Sequence, residues 1–230
     1  LAMHASMYEN AAVKKNILFL KNKIDFISPN MIEGKAKASE PEEVLEYVLK
    51  KFGLSPKLHG KKILMTAGPT IEQIDPIRAI TNLSSGKTGV SLAKELVSAG
   101  AKVTFVYGPG SEKPPKGAKI INIMTSKEMY NSVKKELKNK FDVVIMAAAI
   151  SDYIPTNPSK KKIKSSKSSI TINLKKSPKI IDEVKKLQKD VILIGFKAET
   201  NVTNAQLIKS AKRKLKESSS DLIIANDIGK

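Results

Sequence analysis

The chain has 230 residues, and 41% of them are hydrophobic, which is enough for the core of one large α/β domain with an appended segment. It has no cysteine and two histidines, which excludes disulfides, thiolate catalysis and cysteine-ligated metals and disfavours a histidine-based metal site. No apolar run reaches the length of a transmembrane helix, so we expect neither a membrane span nor a secretory leader, and a cytoplasmic location.

The formal net charge is +19, from 41 Lys and Arg residues against 22 Asp and Glu residues. A basic nucleic-acid-binding module is one interpretation, although aromatic residues make up 5% of the chain, tryptophan is absent and the lysines are spread over predicted helices. A polyanionic small substrate explains the charge better, and nucleic acid is not expected as the main ligand. Any metal would more readily be magnesium, held by phosphates and carboxylates.

Residues 1–57 differ from the rest of the chain, and we expect them to be the tail of another domain with a linker near residues 52–60. Residues 30–37 have a turn-like composition, and residues 41–51 predict a capped helix with glutamates near its start. A second domain is expected over residues 58–230.

Strand and helix patterns alternate in this second domain. Strands rich in Val, Ile and Leu are predicted at residues 61–67, 102–107, 119–124, 142–148, 191–196 and 221–225. Amphipathic helices are predicted at residues 88–99, 126–139, 178–188 and 203–217. This alternation predicts an α/β fold, a Rossmann-like, doubly wound and mostly parallel sheet with helices on both faces.

The link between the first strand and the first helix has the features of a phosphate-binding device. Gly68 and Pro69 end the strand, and Ser84, Ser85 and Gly86 precede the helix, where free N–H groups and the helix dipole favour an anion. An ordinary helix cap with a flexible glycine is the alternative. Neither standard fingerprint fits, because a P-loop needs glycine at Thr81 and a G-x-G-x-x-G motif from Gly108 fails at Lys113.

Four predicted strands end in unusual residues. These ends lie at residues 68–70, 147–149, 196–197 and 226–227. Since ligands of doubly wound sheets bind beyond the carboxyl ends of the strands, we expect these four ends to converge on one site.

A lysine- and serine-rich segment at residues 157–169 interrupts the alternation and contains almost no apolar side chain. Its composition predicts a mobile flap, and its place after the strand end at residues 147–149 favours closure over phosphates, with a solvated linker as the alternative. Residues 170–174 alternate in polarity and predict a strand, the far arm of a hairpin that carries the flap.

Seven motifs in order resemble the phosphopantothenate–cysteine ligase family of coenzyme A biosynthesis: AGPT at 67–70, IDP at 74–76, TNLSSGK at 81–87, AAAISDY at 147–153, KIK at 162–164, GFKAET at 195–200 and AND at 225–227. The resemblance covers residues 61–229. Residues 1–57 resemble the C-terminal part of the flavin-dependent phosphopantothenoylcysteine decarboxylase that is often fused ahead of the ligase, through AMHASMY at 2–8.

The resemblance implies a two-step reaction. The carboxylate of 4′-phosphopantothenate attacks the α-phosphate of a nucleotide, usually CTP with Mg2+, and the amine of L-cysteine then attacks the acyl-cytidylate. The family implies a homodimer of the ligase domain, and a higher oligomer and FMN through an intact decarboxylase domain. Residues 1–57 alone are not expected to decarboxylate.

On matching positions, the family implies that Asn82 holds the acyl-nucleotide and that the flap lysine Lys162 closes on the triphosphate. Asp152 is expected to contact the nucleotide or its magnesium. The positions expected to bind the nucleotide are Gly68, Ser84, Ser85, Gly86, Lys87, Ala147, Ala148, Ala149, Asp152, Lys162, Pro178, Lys179, Ile180, Ile181, Phe196 and Lys214. Two positions depart from the family, because Ser165 and Ser218 stand where further lysines are expected.

A dinucleotide-dependent oxidoreductase is the alternative from another enzyme class. It requires a glycine fingerprint and an acidic residue at the end of the second strand. Here that strand runs into Val106-Tyr107-Gly108-Pro109, which contains no acid.

Overall fold

The computed structural model describes residues 3–21, 24, 30–32, 35–37, 48, 57–165 and 168–229. The chain divides into two compact units, residues 1–57 and residues 58–230. Among the described residues, no helix combines the length and the apolar character that crossing a bilayer requires.

The first unit contains short elements: β1 (Met3–His4), α1 (Ala5–Tyr8), α2 (Ala11–Lys21), β2 (Asn30–Ile32) and β3 (Lys35–Lys37). Strand β3 pairs antiparallel with both β1 and β2. The turn-like residues 30–37 therefore include two strands. The helix predicted at residues 41–51 and the linker at residues 52–60 fall largely outside the described residues.

The strands of the second unit are β4 (Lys62–Ala67), β5 (Ile71–Gln73), β6 (Ala79–Thr81), β7 (Lys102–Tyr107), β8 (Lys119–Asn122), β9 (Val143–Met146), β10 (Tyr153–Pro155), β11 (Leu174–Lys176), β12 (Ile192–Glu199) and β13 (Leu222–Asp227). Six of these strands, as far as the structure describes the chain, form one parallel sheet in the order β13-β12-β9-β4-β7-β8. The order reverses between β4 and β9, as in dinucleotide-binding sheets, and the predicted doubly wound fold is confirmed.

The helices are α3 (Lys87–Ser98), α4 (Ser126–Glu136), α5 (Ile181–Leu187) and α6 (Asn204–Ser218), and a 3-10 turn at Leu137–Asn139 continues α4. Local capping explains two of the starts. Thr125 accepts a hydrogen bond from the N–H of Glu128 before α4, and Thr203 forms a reciprocal capping box with Gln206 before α6. The ends of the predicted helices and sheet strands differ from the observed ends by at most three residues.

Two apolar layers lie on the two faces of the sheet. On one face, Leu64, Val144 and Leu193 pack with side chains of α4 and α5. On the other face, Met65 and Phe105 pack with Val90 and Ala93 of α3. Strands buried on both faces carry continuous runs of apolar residues, which is why the sequence predicted them well.

The second face is covered unevenly. Among the described residues, α3 is the one helix in its core cluster, and it lies near β4 and β7. At the β12–β13 edge of the same face, Ile192, Leu222 and Ile224 are 51%, 49% and 40% exposed. Within the described part of the second unit, this edge is therefore an apolar surface that no helix covers.

The strand predicted at residues 170–174 is wrong in its position. Strand β11 begins at Leu174 and pairs antiparallel with β10, with Tyr153 opposite Lys176 and Pro155 opposite Leu174. Beyond Pro155 one more hydrogen bond joins the two arms, from the N–H of Thr156 to the carbonyl of Asn173 at 2.9 Å. The alternating residues 170–172 lie outside this pairing, although a hairpin does carry the flap.

Candidate active site

The loops that follow β4 and β9 lie side by side at the point where the strand order reverses. The N–H of Ala149 donates to the carbonyl of Gly68 at 2.9 Å, and the N–H of Ala147 donates to the carbonyl of Thr66 at 3.1 Å. Pro69 and Ala149 also form a parallel bridge. Two predicted strand ends, residues 68–70 and 147–149, thus meet in the crevice where sheets of this order bind ligands.

Gly68 allows a tight turn at the end of β4. Its φ is +77°, and a Cβ there would lie 2.8 Å from the carbonyl oxygen of Gly108, the residue that follows β7. A side chain would therefore strain the backbone and collide with the neighbouring loop. The small residue keeps both loops close to the crevice.

The N-terminus of α3 is shaped by two more glycines. Gly86 is the N-cap, with φ +80°, and it has no side chain to cap the helix. The N–H of Lys87 donates to Oγ of Ser85 at 3.2 Å, and the N–H groups that follow in the first turn, together with the helix dipole, favour an anion. A Cβ at Gly86 would lie 2.8 Å from the hydroxyl of Tyr107. A Cβ at Gly89 would lie 2.3 Å from the Cβ of Ala67, so α3 packs directly on β4.

Gly68, Gly86 and Gly89 therefore correspond to the three glycines of a dinucleotide-binding fingerprint. Gly68 makes the tight turn, Gly89 allows close helix–strand packing, and Gly86 lies against Tyr107 where a side chain would collide. Sequence reasoning missed this fingerprint because the hairpin formed by β5 and β6 separates its first glycine from the other two. The spacing Gly86-x-x-Gly89 after a strand and a long insertion was the available signal.

Tyr107, which sequence reasoning also missed, supports the loop before α3. Its side chain is 5% exposed, and its hydroxyl donates to the carbonyl of Glu112 at 2.8 Å and lies 3.4 Å from the carbonyl of Ser85. Burial raises the pKa of the Tyr107 hydroxyl, which is consistent with a neutral donor. The N–H of Glu112 donates to the Ser85 carbonyl at 3.4 Å, so Ser85 lies against the loop that follows β7.

The β5–β6 hairpin is tied to the sheet. The hydroxyl of Thr81 donates to the carbonyl of Thr70 at 2.8 Å, and the hydroxyl oxygen of Thr70 accepts from the N–H of Ser151 at 3.1 Å. The buried carboxylate of Glu72 accepts from the N–H of Ser126 at 2.8 Å, at the start of α4. The long loop expected before α3 is thus an ordered hairpin.

Asn82 follows this hairpin and bridges to the loop after β9. Its amide nitrogen Nδ2 donates to the carbonyl oxygens of Ala149 at 3.0 Å and Ile150 at 3.1 Å. Both amide hydrogens are engaged, so within the described residues the oxygen Oδ1 is the group left to accept from a ligand. The structure therefore places Asn82 between the α3 N-terminus and residues 147–149.

Asp152 and the turn before α5 meet at the same edge. The N–H of Ser177 donates to the carbonyl of Asp152 at 2.8 Å, and the ammonium of Lys179 lies 4.0 Å from the Asp152 carboxylate. Pro178 is exposed, Ile180 is buried and Ile181 is half-buried, so Lys179 offers the charged group of this turn.

A metal site built by protein side chains is not present among the described residues, which contain no group of three or more acidic or histidine side chains able to hold an ion. The Asp152 side chain is 73% exposed and faces a lysine. A single carboxylate of this kind does not fit a protein-built magnesium site.

Phe196 and Lys214 lie on opposite faces of the sheet. Phe196 is half-buried against the core layer that α3 covers. The ammonium of Lys214, on α6, donates to the carboxylate of Asp182 on α5 at 2.8 Å and is 14% exposed. Ser218 is buried and donates to the carbonyl of Lys214, which leaves no room for the family's second helix lysine.

Two described residues of the flap, Ser159 and Ile163, are bonded to the turn of the β5–β6 hairpin. The N–H of Ser159 donates to the carbonyl of Ile74 at 2.8 Å. The N–H of Ile163 donates to the carboxylate of Asp75 at 3.1 Å, and the guanidinium of Arg78 donates to the carbonyl of Ile163 at 3.1 Å. Lys162 and Lys164, on either side of Ile163, are exposed.

Asp75 is 1% exposed. Burial alone would raise the pKa of its carboxyl, but the N–H groups of Ile77, Ile163 and Arg78, together with the Arg78 guanidinium, hold that pKa below its ordinary value. Sequence reasoning gave Asp75 and Arg78 no role. The Asp75-Pro76 pair with an arginine three residues after the aspartate could have indicated a turn closed by an ion pair.

The chain resembles known proteins along its whole length. The family model described as DNA/pantothenate metabolism flavoprotein C-terminal domain matches residues 58–230, and the family model described as flavoprotein matches residues 1–53. The coenzyme A biosynthesis bifunctional protein CoaBC of Thermococcus kodakarensis is 45% identical in an alignment of 230 positions that covers 99% of this chain and 56% of that protein. CoaBC of Methanocaldococcus jannaschii is 41% identical in an alignment of 231 positions that covers 100% of this chain and 56% of that protein.

Solved structures agree with these relatives. The C-terminal domain of CoaBC is 36% identical with a TM-score of 0.65, over 75% of this chain and 80% of that one. The DNA/pantothenate metabolism flavoprotein from Streptococcus pneumoniae is 33% identical with a TM-score of 0.68, over 74% and 83% of the two chains. This chain spans a little over half the length of the two CoaBC proteins. Because the first family model covers most of the chain, the protein belongs to the DNA/pantothenate metabolism flavoprotein family, and residues 58–230 are its C-terminal domain.

Proposed function

We propose that residues 58–230 join 4′-phosphopantothenate to L-cysteine with CTP as the activating nucleotide. In the first step the pantothenate carboxylate attacks the α-phosphorus, and the α–β bond breaks to release pyrophosphate. In the second step the cysteine amine attacks the acyl carbon, loses a proton and displaces CMP. The names of the bifunctional CoaBC relatives and the membership of the family support this assignment.

The observation that carries the proposal is the position of Asn82. Asn82 lies on the segment that leads into the N-terminus of α3, where a phosphate is favoured. Its amide is bonded to the carbonyls of Ala149 and Ile150 in the loop after β9. A ligand in this crevice would place its phosphates at Ser84, Ser85 and Gly86. Its reacting acyl group would then lie near Asn82.

The chain's own groups have distinct roles in this proposal. The small residues at 147–149 let backbone groups approach the nucleotide, and Phe196 packs against the base. The ammonium groups of Lys87, Lys162 and Lys179 neutralise phosphate charge as pyrophosphate leaves. The oxygen Oδ1 of Asn82 accepts a hydrogen bond from the incoming cysteine amine and orients it toward the acyl carbon.

The assembly and cofactors form part of the same proposal. We assign a homodimer of the C-terminal domain to the uncovered apolar edge that contains Ile192, Leu222 and Ile224, since such a face is stabilised by burial against a second copy. Magnesium would take its ligands chiefly from the triphosphate and water. In the longer protein, the flavoprotein domain matched by residues 1–53 would hold FMN, decarboxylate the product and extend the oligomer. The location would be the cytoplasm.

Pyrophosphate release tests this function directly. Each of the four nucleoside triphosphates is supplied with Mg2+, with and without 4′-phosphopantothenate, and cysteine is added afterwards. We expect release that requires 4′-phosphopantothenate and is fastest with CTP, followed by CMP release that requires cysteine. Release with no dependence on 4′-phosphopantothenate would contradict the proposal, and duplex binding that falls steeply with salt would favour a nucleic-acid module instead.

A further inference from the structure

One residue of the flap, Ile163, is held at both its backbone N–H and its backbone carbonyl oxygen. The N–H of Ile163 donates to Oδ2 of Asp75 at 3.1 Å, and Nη1 of Arg78 donates to the carbonyl oxygen of Ile163 at 3.1 Å. The same Nη1 is 2.7 Å from Oδ2 of Asp75. The residue is therefore recognised through its backbone, whatever its side chain, by a charged pair on the β5–β6 hairpin.

The two oxygens of the Asp75 carboxylate have separate tasks. Oδ1 accepts from the N–H groups of Ile77 at 2.9 Å and Arg78 at 2.8 Å, which forms the turn of the hairpin. Oδ2 faces the Arg78 guanidinium and the flap. Oδ1 suffices for the turn, so the contact to the flap is an additional function of this buried carboxylate.

We propose that Asp75 is a positioning residue for the flap lysines. Asp75 and Arg78 together hold the backbone of Ile163. This fixes the backbone positions of the neighbouring Lys162 and Lys164, from which their side chains extend toward the crevice. Consecutive Cα atoms are about 3.8 Å apart, so fixing Ile163 leaves Lys162 little freedom beyond its own side-chain torsions. The assignment of a phosphate-contacting role to Lys162 rests on the proposed function.

The clamp also links two parts of the candidate site. Strand β6 of the same hairpin leads directly into Asn82, which is bonded to the carbonyls of Ala149 and Ile150. The hairpin therefore sets the place of the flap and the place of Asn82 from one rigid element. A change at Asp75 that spares the turn should disturb the flap and leave Asn82 in position.

The substitution Asp75→Asn separates the two tasks. Its amide oxygen can still accept from Ile77 and Arg78, whereas its amide nitrogen would present hydrogens to the N–H of Ile163 and to the Arg78 guanidinium. We expect amide hydrogen exchange at Ile163 to become at least about tenfold faster, with exchange at Ile77 and Arg78 unchanged. Unchanged protection at Ile163 would overturn the clamp.

Asp221→Asn is the matched control. Asp221 also accepts from a backbone N–H, that of Leu193 at 2.7 Å, and pairs with the ammonium of Lys185 at 2.7 Å, but it lies at the amino end of β13. This variant should leave exchange at Ile163 and the ligase rate unchanged. If Asp75→Asn fails to fold, Ile163→Pro removes the donor from the flap side while the carboxylate stays intact, and it should slow acyl-nucleotide formation in the same way.

A double-mutant cycle distinguishes positioning from general stability. Asp75→Asn should lower the rate of acyl-nucleotide formation at least about tenfold in the parent, but less than about threefold when Lys162 is already glutamine. Equal losses in both backgrounds would overturn the role of Asp75 in placing Lys162. Hydrogen exchange needs no substrate, so a protein without ligase activity would contradict the proposed function while the clamp could still be confirmed or refuted.

Discussion

Replacement of Gly89 by alanine should push α3 away from β4 and weaken nucleotide binding. Gly89 is buried in the first turn of α3, beneath the N–H groups that we assign to phosphate. A Cβ at this position would lie 2.3 Å from the Cβ of Ala67, whereas ordinary van der Waals contact begins at 3.4 Å. The helix must therefore retreat by about 1.1 Å, because the Ala67 Cβ is bonded directly to the backbone of a central strand and cannot move aside.

Two opposing energies set the expected size of the effect. Overpacking costs about 1–3 kcal/mol, and alanine gains about 1 kcal/mol over glycine in a helix interior. A net loss of about 0–2 kcal/mol should lower Tm by at most roughly 8 °C for a domain of this size. A displacement of about 1 Å at a positioning element costs about 100-fold in rate, so the ligase reaction should suffer more than stability does.

Thermal unfolding and the CTP dependence of pyrophosphate release measure the two effects. Ser91→Ala, at an exposed position of the same helix, is the control, and its Tm should be unchanged or slightly higher. If Gly89→Ala raises Tm as the control does and leaves the CTP dependence unchanged, the close helix–strand contact does not support the site.

Three further outcomes are expected. Asn82→Asp places a carboxylate oxygen against the carbonyls of Ala149 and Ile150, so the rate of acyl transfer to cysteine should fall at least about 30-fold while CTP affinity changes far less. Equal losses of transfer rate and CTP affinity would count against the role of Asn82. Lys162→Gln should slow acyl-nucleotide formation by about 30- to 1000-fold, equivalent to roughly 2–4 kcal/mol, and should leave Tm unchanged. An equal effect of the same substitution at Lys164 would show that only the total positive charge of the flap matters. The ammonium of Lys185 and the N–H of Leu193 hold the pKa of the Asp221 carboxyl below its ordinary value of 3.8. The ionised carboxylate therefore stabilises the fold fully above pH 3.8, and this stabilisation is lost as the pH falls through the lower pKa of the folded state. Asp221→Asn should therefore lower Tm by at most roughly 2–4 °C at neutral pH, equivalent to about 1 kcal/mol, and the difference should vanish on acidification; a difference that persists in acid would contradict this account.

Periodic patterns in the sequence were sufficient to predict the six strands of the parallel sheet and the four helices of the second unit, but not the short strands outside that sheet. Strand β7 begins and ends where the pattern predicted, at Lys102 and Tyr107, because a strand buried on both faces has to be a continuous apolar run. The start of α4 was equally predictable, since Thr125 is a local cap. Apolar runs and helix caps involve residues that are close in sequence, so they can be recognised without knowledge of the fold. The location of the site at the carboxyl ends of the strands followed from the fold class alone.

The tertiary structure decided which polar groups meet. Asn82 and Ala149 are 67 residues apart, and Asp75 and Ile163 are 88 residues apart, so no local pattern could pair them. The glycine fingerprint could not be recognised from the sequence for the same reason, since the β5–β6 hairpin separates Gly68 from Gly86 and Gly89 along the chain and the three meet only in the folded structure. Lys214 was matched to phosphate by its place in the sequence, yet the packing of α5 against α6 gives it Asp182 as a partner. Burial and partner choice depend on contacts between distant segments, and a buried charge such as Asp75 is stable only where those segments supply its donors.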